Sequence, residues 1–225
     1  MAKNESVIKY SGIYGGITYE SKPWDDFEVI GEKQMLNLKI TKIKIYSGKF
    51  NDKDAIFGVG FTYRSTLNGE EKVVEHRGSD DFIDFKELVI KKDEFLTDFH
   101  IRFSNNAEYI SQLGFATNKN NSLLVGTEEG EDKIIGLNGG DNIIVGTFGR
   151  LNKKLDATGV LLISKKDYYK RLFIGILYLR NLIKKDKIFK EEWDKKQEKL
   201  PLEFKYMWRV VNLPETLLPQ ILKFY

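Results

Sequence analysis

Two histidines, His76 and His100, and no cysteine are the whole supply of side chains that titrate near neutrality. A histidine works as general base or ligand beside a serine, a carboxylate pair or a second ligand, and these two stand far apart without such a pattern. No catalytic residue is assigned, and the chain reads as a non-enzyme. Oxygen-rich clusters offer another chemistry. Asp25-Asp26, Asp80-Asp81 and Asn51-Asp52-Lys53-Asp54 carry donors that calcium takes, yet none continues into the spaced acid-glycine loop of an EF-hand, and paired acids in turns ordinarily face water. No metal and no cofactor is expected. The missing cysteines remove thiolate zinc sites, disulfide scaffolds and cysteine nucleophiles together, and they suit a reducing compartment.

The elements that would position a site fall into two blocks. Up to residue 166 apolar residues recur with period two: Leu36, Leu38 and Ile40; Ile43 and Ile45; Ile56, Val59, Phe61 and Tyr63; Phe99, Ile101 and Phe103; Ile143 and Val145; Val160 and Leu162. These are strands. Turn material separates them at Tyr46-Ser47-Gly48-Lys49, Leu67-Asn68-Gly69-Glu70, Asn105-Asn106 and Asn138-Gly139-Gly140-Asp141, the rhythm of an all-β sandwich or prism. Asn68-Gly69 reads as a hairpin tip, because both central residues of a tight hairpin turn need positive φ. From residue 167 the period becomes helical, with Tyr169, Leu172, Phe173, Ile176, Leu179 and Ile183 on one face. Because 18 of 19 glycines precede this break and three of four prolines follow it, the chain divides into a β domain, 1–166, and a helical extension, 167–225. The longest apolar run, Leu172 to Leu179, is far short of the roughly 20 residues that span a bilayer, so no membrane span is expected. The polar N-terminus shows no signal-peptide apolar stretch, and the protein reads as cytoplasmic.

Ile143-Ile144-Val145-Gly146-Thr147-Phe148-Gly149-Arg150 followed by Leu155-Asp156-Ala157-Thr158-Gly159-Val160 resembles the closing motif of jacalin-like lectin domains. Tyr109 to Lys119 is similar to a second segment of that family, and Tyr14-Gly15-Gly16 with Trp24-Asp25-Asp26 to its opening. The resemblance covers about residues 8–165. It implies a β-prism of three four-stranded antiparallel sheets that binds sugar, without catalysis or metal, in a shallow site at one end. It also implies that Asp156 accepts hydrogen bonds from vicinal hydroxyls while turn N–H groups donate to the same oxygens. The loops carrying Gly15, Gly16, Asn152, Lys153, Lys154 and Asp156 are the implied site. Two departures stand out. Asn152 takes the place of the family's loop glycine, and Ile17 to Pro23 lacks the glycine expected before the tryptophan, leaving Tyr19 either to stack on a sugar or to fill the pocket.

The extension holds 13 Lys and Arg against 8 Asp and Glu, whereas residues 1–166 are slightly acidic within a whole-chain charge of +3. Its lysines alternate with Glu191, Glu192, Asp194 and Glu198, as on a solvated helix with internal ion pairs, so no nucleic-acid partner is expected. Trp193, Trp208, Leu217 and Phe224 are more apolar surface than a pair of short helices buries, and they read as a protein-binding face. Two functions follow. One is a lectin module for a mono- or oligosaccharide. The other is a scaffold subunit of a large intracellular assembly, with a degenerate sugar site and residues 167–225 as its interface.

Overall fold

The computed structural model describes residues 7–16, 18–35, 37–66, 69–79, 84–104, 108–136 and 141–170. In chain order they form β1 (Lys9–Tyr10), β2 (Tyr14–Gly15), β3 (Lys22–Asp25), two short helices α1 (Asp26–Ile30) and α2 (Glu32–Met35), β4 (Leu38–Phe50), β5 (Lys53–Ser65), β6 (Glu71–Arg77) and β7 (Asp84–Val89). There follow β8 (Leu96–Phe103), β9 (Ile110–Thr117), β10 (Ser122–Gly126), β11 (Glu131–Gly136), β12 (Asn142–Leu151) and β13 (Leu155–Ser164). Every strand pair is antiparallel, and the strands make three sheets: β6-β5-β4-β7, β10-β9-β8-β11 and β1-β13-β12-β3, with β2 also on β13. This is the β-prism.

The third sheet counts five strands rather than four because its N-terminal edge is one strand broken in two. Ser11 interrupts it: its backbone N–H donates to the Val160 carbonyl, and its side-chain hydroxyl accepts from the Val160 N–H, each at 2.9 Å. A side chain thus replaces one ladder acceptor, and β1 and β2 resume on either side along β13. The core lies between sheets, where Phe61 of β5 meets Phe115 of β9 edge-on at 5.7 Å and Phe115 meets Phe99 of β8 at 5.4 Å, all three buried. Period-two alternation in each of these strands sends such rings inward.

Two local readings are corrected. Tyr46-Ser47-Gly48-Lys49 is not a turn but the continuation of β4, whose ladder with β5 slips by one residue between Tyr46 and Ser47. That bulge absorbs the Ser-Gly signal, and the chain reverses instead at Asn51 and Asp52, with φ of 50° and 62° between the paired Phe50 and Lys53. The Asn51-Asp52 cluster is therefore a two-residue hairpin turn. Nor does the Asp25-Asp26 pair face water. Asp25 caps α1, its carboxylate accepting from Phe27 N–H at 2.7 Å, and Asp26 is wholly buried. The β5–β6 hairpin forms in the register Arg64↔Glu71, although Leu67 and Asn68 at its tip lie outside the described residues.

By contact clustering the chain separates into two units, Met1–Lys165 and Lys166–Tyr225. Residues 165–170 are helical; the expected helices beyond them, with Trp193, Trp208, Leu217 and Phe224, lie outside the described residues. Among the described residues no helix is long and apolar enough to cross a membrane.

Candidate functional site

Three chain segments distant in sequence meet at one end of the prism. The β12–β13 turn closes tightly, with Asn152 N–H donating to the Lys154 carbonyl at 3.0 Å. Opposite it stand Gly16 and residues 18–21, between β2 and β3, anchored where Gly16 N–H donates to the Asp156 carbonyl at 3.1 Å. The two loops are clamped by Asn152 Nδ2, which donates to Glu20 Oε2 at 3.3 Å, and by Arg150 Nη1, which donates to the Ser21 carbonyl at 3.0 Å. Residues following β6 form a third wall, where Ser79 N–H donates to the Lys153 carbonyl at 2.8 Å.

Two glycines permit this approach. A Cβ on Gly15, whose φ is +116°, would lie 2.3 Å from the Asp156 carbonyl oxygen, and one on Gly78 would lie 2.1 Å from the Lys153 carbonyl oxygen. Both obstacles are backbone, so neither contact is relieved by a side-chain rotation.

Asp156 sits at the centre of the arrangement, fully buried at 0% exposure. Its Oδ1 accepts from the Lys154 ammonium at 2.8 Å, and its Oδ2 accepts from the Thr18 hydroxyl at 3.2 Å. Lys154 is itself only 6% exposed, and its ammonium lies 4.6 Å from the centre of the Phe50 ring. The carboxylate is paired from both sides by this chain's own donors. Lys153 and Lys22 are exposed, and Tyr19 projects fully into solvent, so it does not fill the pocket.

Beneath these loops lies a second buried carboxylate. Asp26 accepts from Tyr63 Oη at 2.6 Å, from Thr147 N–H at 2.8 Å and from Thr147 Oγ1 at 3.1 Å, and it pairs with His76 Nε2 at 2.6 Å. His76 stacks on Trp24 with ring centres 4.0 Å apart and planes 17° from parallel. Burial, then the charge of Asp26 and its hydrogen bond, pushes the Tyr63 phenol well above its ordinary range. This knot fixes α1, β5, β6 and β12 to one another. His76 and His100 belong to different environments, since His100 Nε2 pairs with Gln112 Oε1 at 2.8 Å. Among the described residues no group of three or more His, Cys, Asp or Glu side chains is placed to hold a metal ion.

The six sequence-derived residues Gly15, Gly16, Asn152, Lys153, Lys154 and Asp156 are therefore brought to one place. Sequence reasoning missed Thr18, Glu20, Phe50, Gly78 and Ser79 as neighbours of that place. Their partners lie from about 70 to more than 130 positions away along the chain, and no local spacing signals such a contact.

The sequence and fold match known proteins. The family model of the jacalin-like lectin domain matches residues 11–161. Jacalin-related lectin 44 of Arabidopsis thaliana is 28% identical over 141 residues, a match spanning 62% of this chain and 21% of that relative. Among solved structures, a mannose-binding jacalin-related lectin from Ananas comosus is 20% identical, with TM-score 0.54, coverage of 71% of this chain and 99% of that one. Calsepa lectin in complex with a biantennary N-glycan is 21% identical, with TM-score 0.55 and coverage of 69% and 96%. The artocarpin–mannotriose complex is 23% identical, with TM-score 0.51 and coverage of 68% and 96%. The chain belongs to the jacalin-like lectin domain family, a family of non-enzymatic carbohydrate-binding proteins.

Proposed function

We propose that the chain is a non-catalytic lectin module that binds a mono- or oligosaccharide where residues 15–16 and 18–21 meet residues 152–156, with Asp156 as the acceptor of sugar hydroxyls. One observation carries the reading. The Thr18 hydroxyl already donates to Asp156 from the facing loop, so a hydroxyl fits against that carboxylate, and Gly15, Gly16, Asn152, Lys153 and Lys154 supply the surrounding backbone. The mannose-binding, mannotriose-bound and N-glycan-bound relatives support a saccharide as the ligand class. A shallow polar site buries little area, which puts the affinity for a single sugar at about millimolar. The absence of cysteine supports a cytoplasmic setting. A glycan array of the full chain beside Asp156→Ala tests the reading: glycan signals that vanish in the variant, with the strand circular-dichroism spectrum unchanged, are expected. Signals that survive in Asp156→Ala refute the assigned site.

The burial of Asp156 favours a second reading, in which the prism is a rigid scaffold block and residues 167–225 bind a protein partner through Trp193, Trp208, Leu217 and Phe224. It predicts a blank array for both proteins and an assembly that dissociates when Trp208 and Phe224 are changed to alanine.

A further inference from the structure

Resting on the carbohydrate reading above, we infer that the site selects saccharides bearing an anionic group, and that Lys154 imposes the choice. Sugar hydroxyls that engage Asp156 must displace what now holds it. Exchanging the Thr18 hydroxyl for a sugar hydroxyl replaces like with like. Displacing the Lys154 ammonium does not, because that group exchanges a 2.8 Å charge-assisted bond for whatever the ligand offers. A neutral pyranose offers only hydroxyl oxygens, which accept a cation's N–H more weakly than a carboxylate does. A pyranose carrying a carboxylate or a sulfate offers a second anion. The ammonium then passes from Asp156 to the ligand while the ligand's hydroxyls take its place on Asp156, so each ionic partner keeps a partner.

The surroundings point the same way. Among the described residues the Lys154 loop also carries the exposed Lys153, the exposed Lys22 and Arg150 stand at the adjoining ends of β3 and β12, and the carboxylate of Glu20 is already held by Asn152. These cations add to the positive field around Lys154, which favours anionic ligands. The Phe50 ring, 4.6 Å from the ammonium, gives a lysine released from Asp156 an aromatic face to rest on.

The test is a calorimetric or NMR titration of the full chain with matched pairs of methyl glycosides: glucoside with glucuronide, galactoside with galacturonide, mannoside with mannuronide, and a sulfated galactoside. In the pair that binds, the anionic member should bind about tenfold more tightly, the order of one hydrogen bond to a charged group. The sulfated arm separates a general anion preference from a carboxylate preference. Lys154→Met should reduce the preference to about twofold or less while the neutral glycoside gains affinity. Equal binding of neutral and anionic members by the wild type overturns the inference and leaves the lectin reading intact if Asp156→Ala abolishes both. A preference that persists in Lys154→Met overturns it too, since the exposed lysines then carry the selection. If Lys154→Met does not fold, the wild type decides alone: raising salt must weaken the uronide and spare the neutral glycoside, and identical salt dependence refutes the inference. Binding of no glycoside to the wild type removes both readings together.

Discussion

Asp26 is the residue whose loss the structure predicts in most detail. Its carboxylate is fully buried and holds Tyr63, His76, and both the N–H and hydroxyl of Thr147 at 2.6 to 3.1 Å. Asp26→Ala removes the acceptor and leaves these groups in a dry interior, where each unsatisfied donor costs about 1–3 kcal/mol. Some repair is open to the rotatable hydroxyls, so the full sum overestimates the effect. The lower end of that sum is therefore the working figure. We expect about 4 kcal/mol for Asp26→Ala and about 2 kcal/mol for Asp26→Asn, which keeps the volume and one acceptor oxygen. Against a total stability of about 5–15 kcal/mol the alanine variant is close to unfolding, so the measurement rests on the asparagine variant. Urea denaturation of the full chain, followed by strand circular dichroism, gives the midpoint and slope. A double-mutant cycle of Asp26→Asn with Tyr63→Phe isolates the bond between them, with an expected coupling of about 1 kcal/mol. An Asp26→Asn midpoint within error of wild type, or strict additivity in the cycle, would show that the knot does not hold the sheets together.

Two further outcomes are expected. Gly78→Ala places a Cβ 2.1 Å from the Lys153 carbonyl oxygen, so the third wall must move; urea unfolding should show about 1–3 kcal/mol of destabilisation, and glycan signals should fall, whereas an unchanged midpoint would mean that the wall is loose. Alkaline pH should weaken the fold through two phenols, chiefly the buried Tyr63, since Tyr10 is half-exposed and solvent screens its contribution. Burial and the Asp25 hydrogen bond push Tyr10 up to about 12, and burial, then the charge of Asp26, pushes Tyr63 well above its ordinary value. A phenol whose folded pKa is raised gives stability that is present below the unfolded value of about 10 and lost as pH rises through the folded values. The urea midpoint should therefore be level from about pH 8 to about pH 10 and decline above it, with Tyr63→Phe showing the shallower decline. A midpoint that rises above about pH 10 has the wrong sign for this account.

What could be read from the sequence is what the backbone decides locally. Val59, Phe61 and Tyr63, or Phe99 and Ile101, alternate because alternate strand positions face the core, and that pattern survives without knowledge of the partner strand. Turn chemistry is less secure. Ser47-Gly48 has the composition of a turn, yet its strand is paired on both sides, by β5 and β7, and a bulge was the smaller disturbance. Asn51-Asp52 has the composition of a cation loop, yet both residues sit at positive φ in a hairpin, where asparagine and aspartate are favoured for backbone reasons. The acid pair Asp25-Asp26 misled for a related cause: capping turns one carboxylate to the helix start, and the next position along α1 then points into the core, where donors from β5, β6 and β12 have converged.

The same distinction separates the two buried carboxylates. Asp26 and Asp156 are equally inaccessible, but their partners differ in kind. Those of Asp26 belong to strands β5, β6 and β12 and include a backbone N–H, so freeing it means separating sheets. Those of Asp156 are two side chains, Thr18 and Lys154, both in loops at the end of the prism, and the lysine stem has rotamers that lead away from the carboxylate. Freeing Asp156 requires the rotation of one lysine and one threonine. A motif that places a carboxylate at the start of a strand is thus compatible with a closed site, and the turn before it, Asn152-Lys153-Lys154, supplies the lysine that closes it. Whether that lysine is a permanent plug or the first contact of an anionic sugar is decided by one ratio, the affinity of the uronide over the neutral glycoside in the wild type and in Lys154→Met.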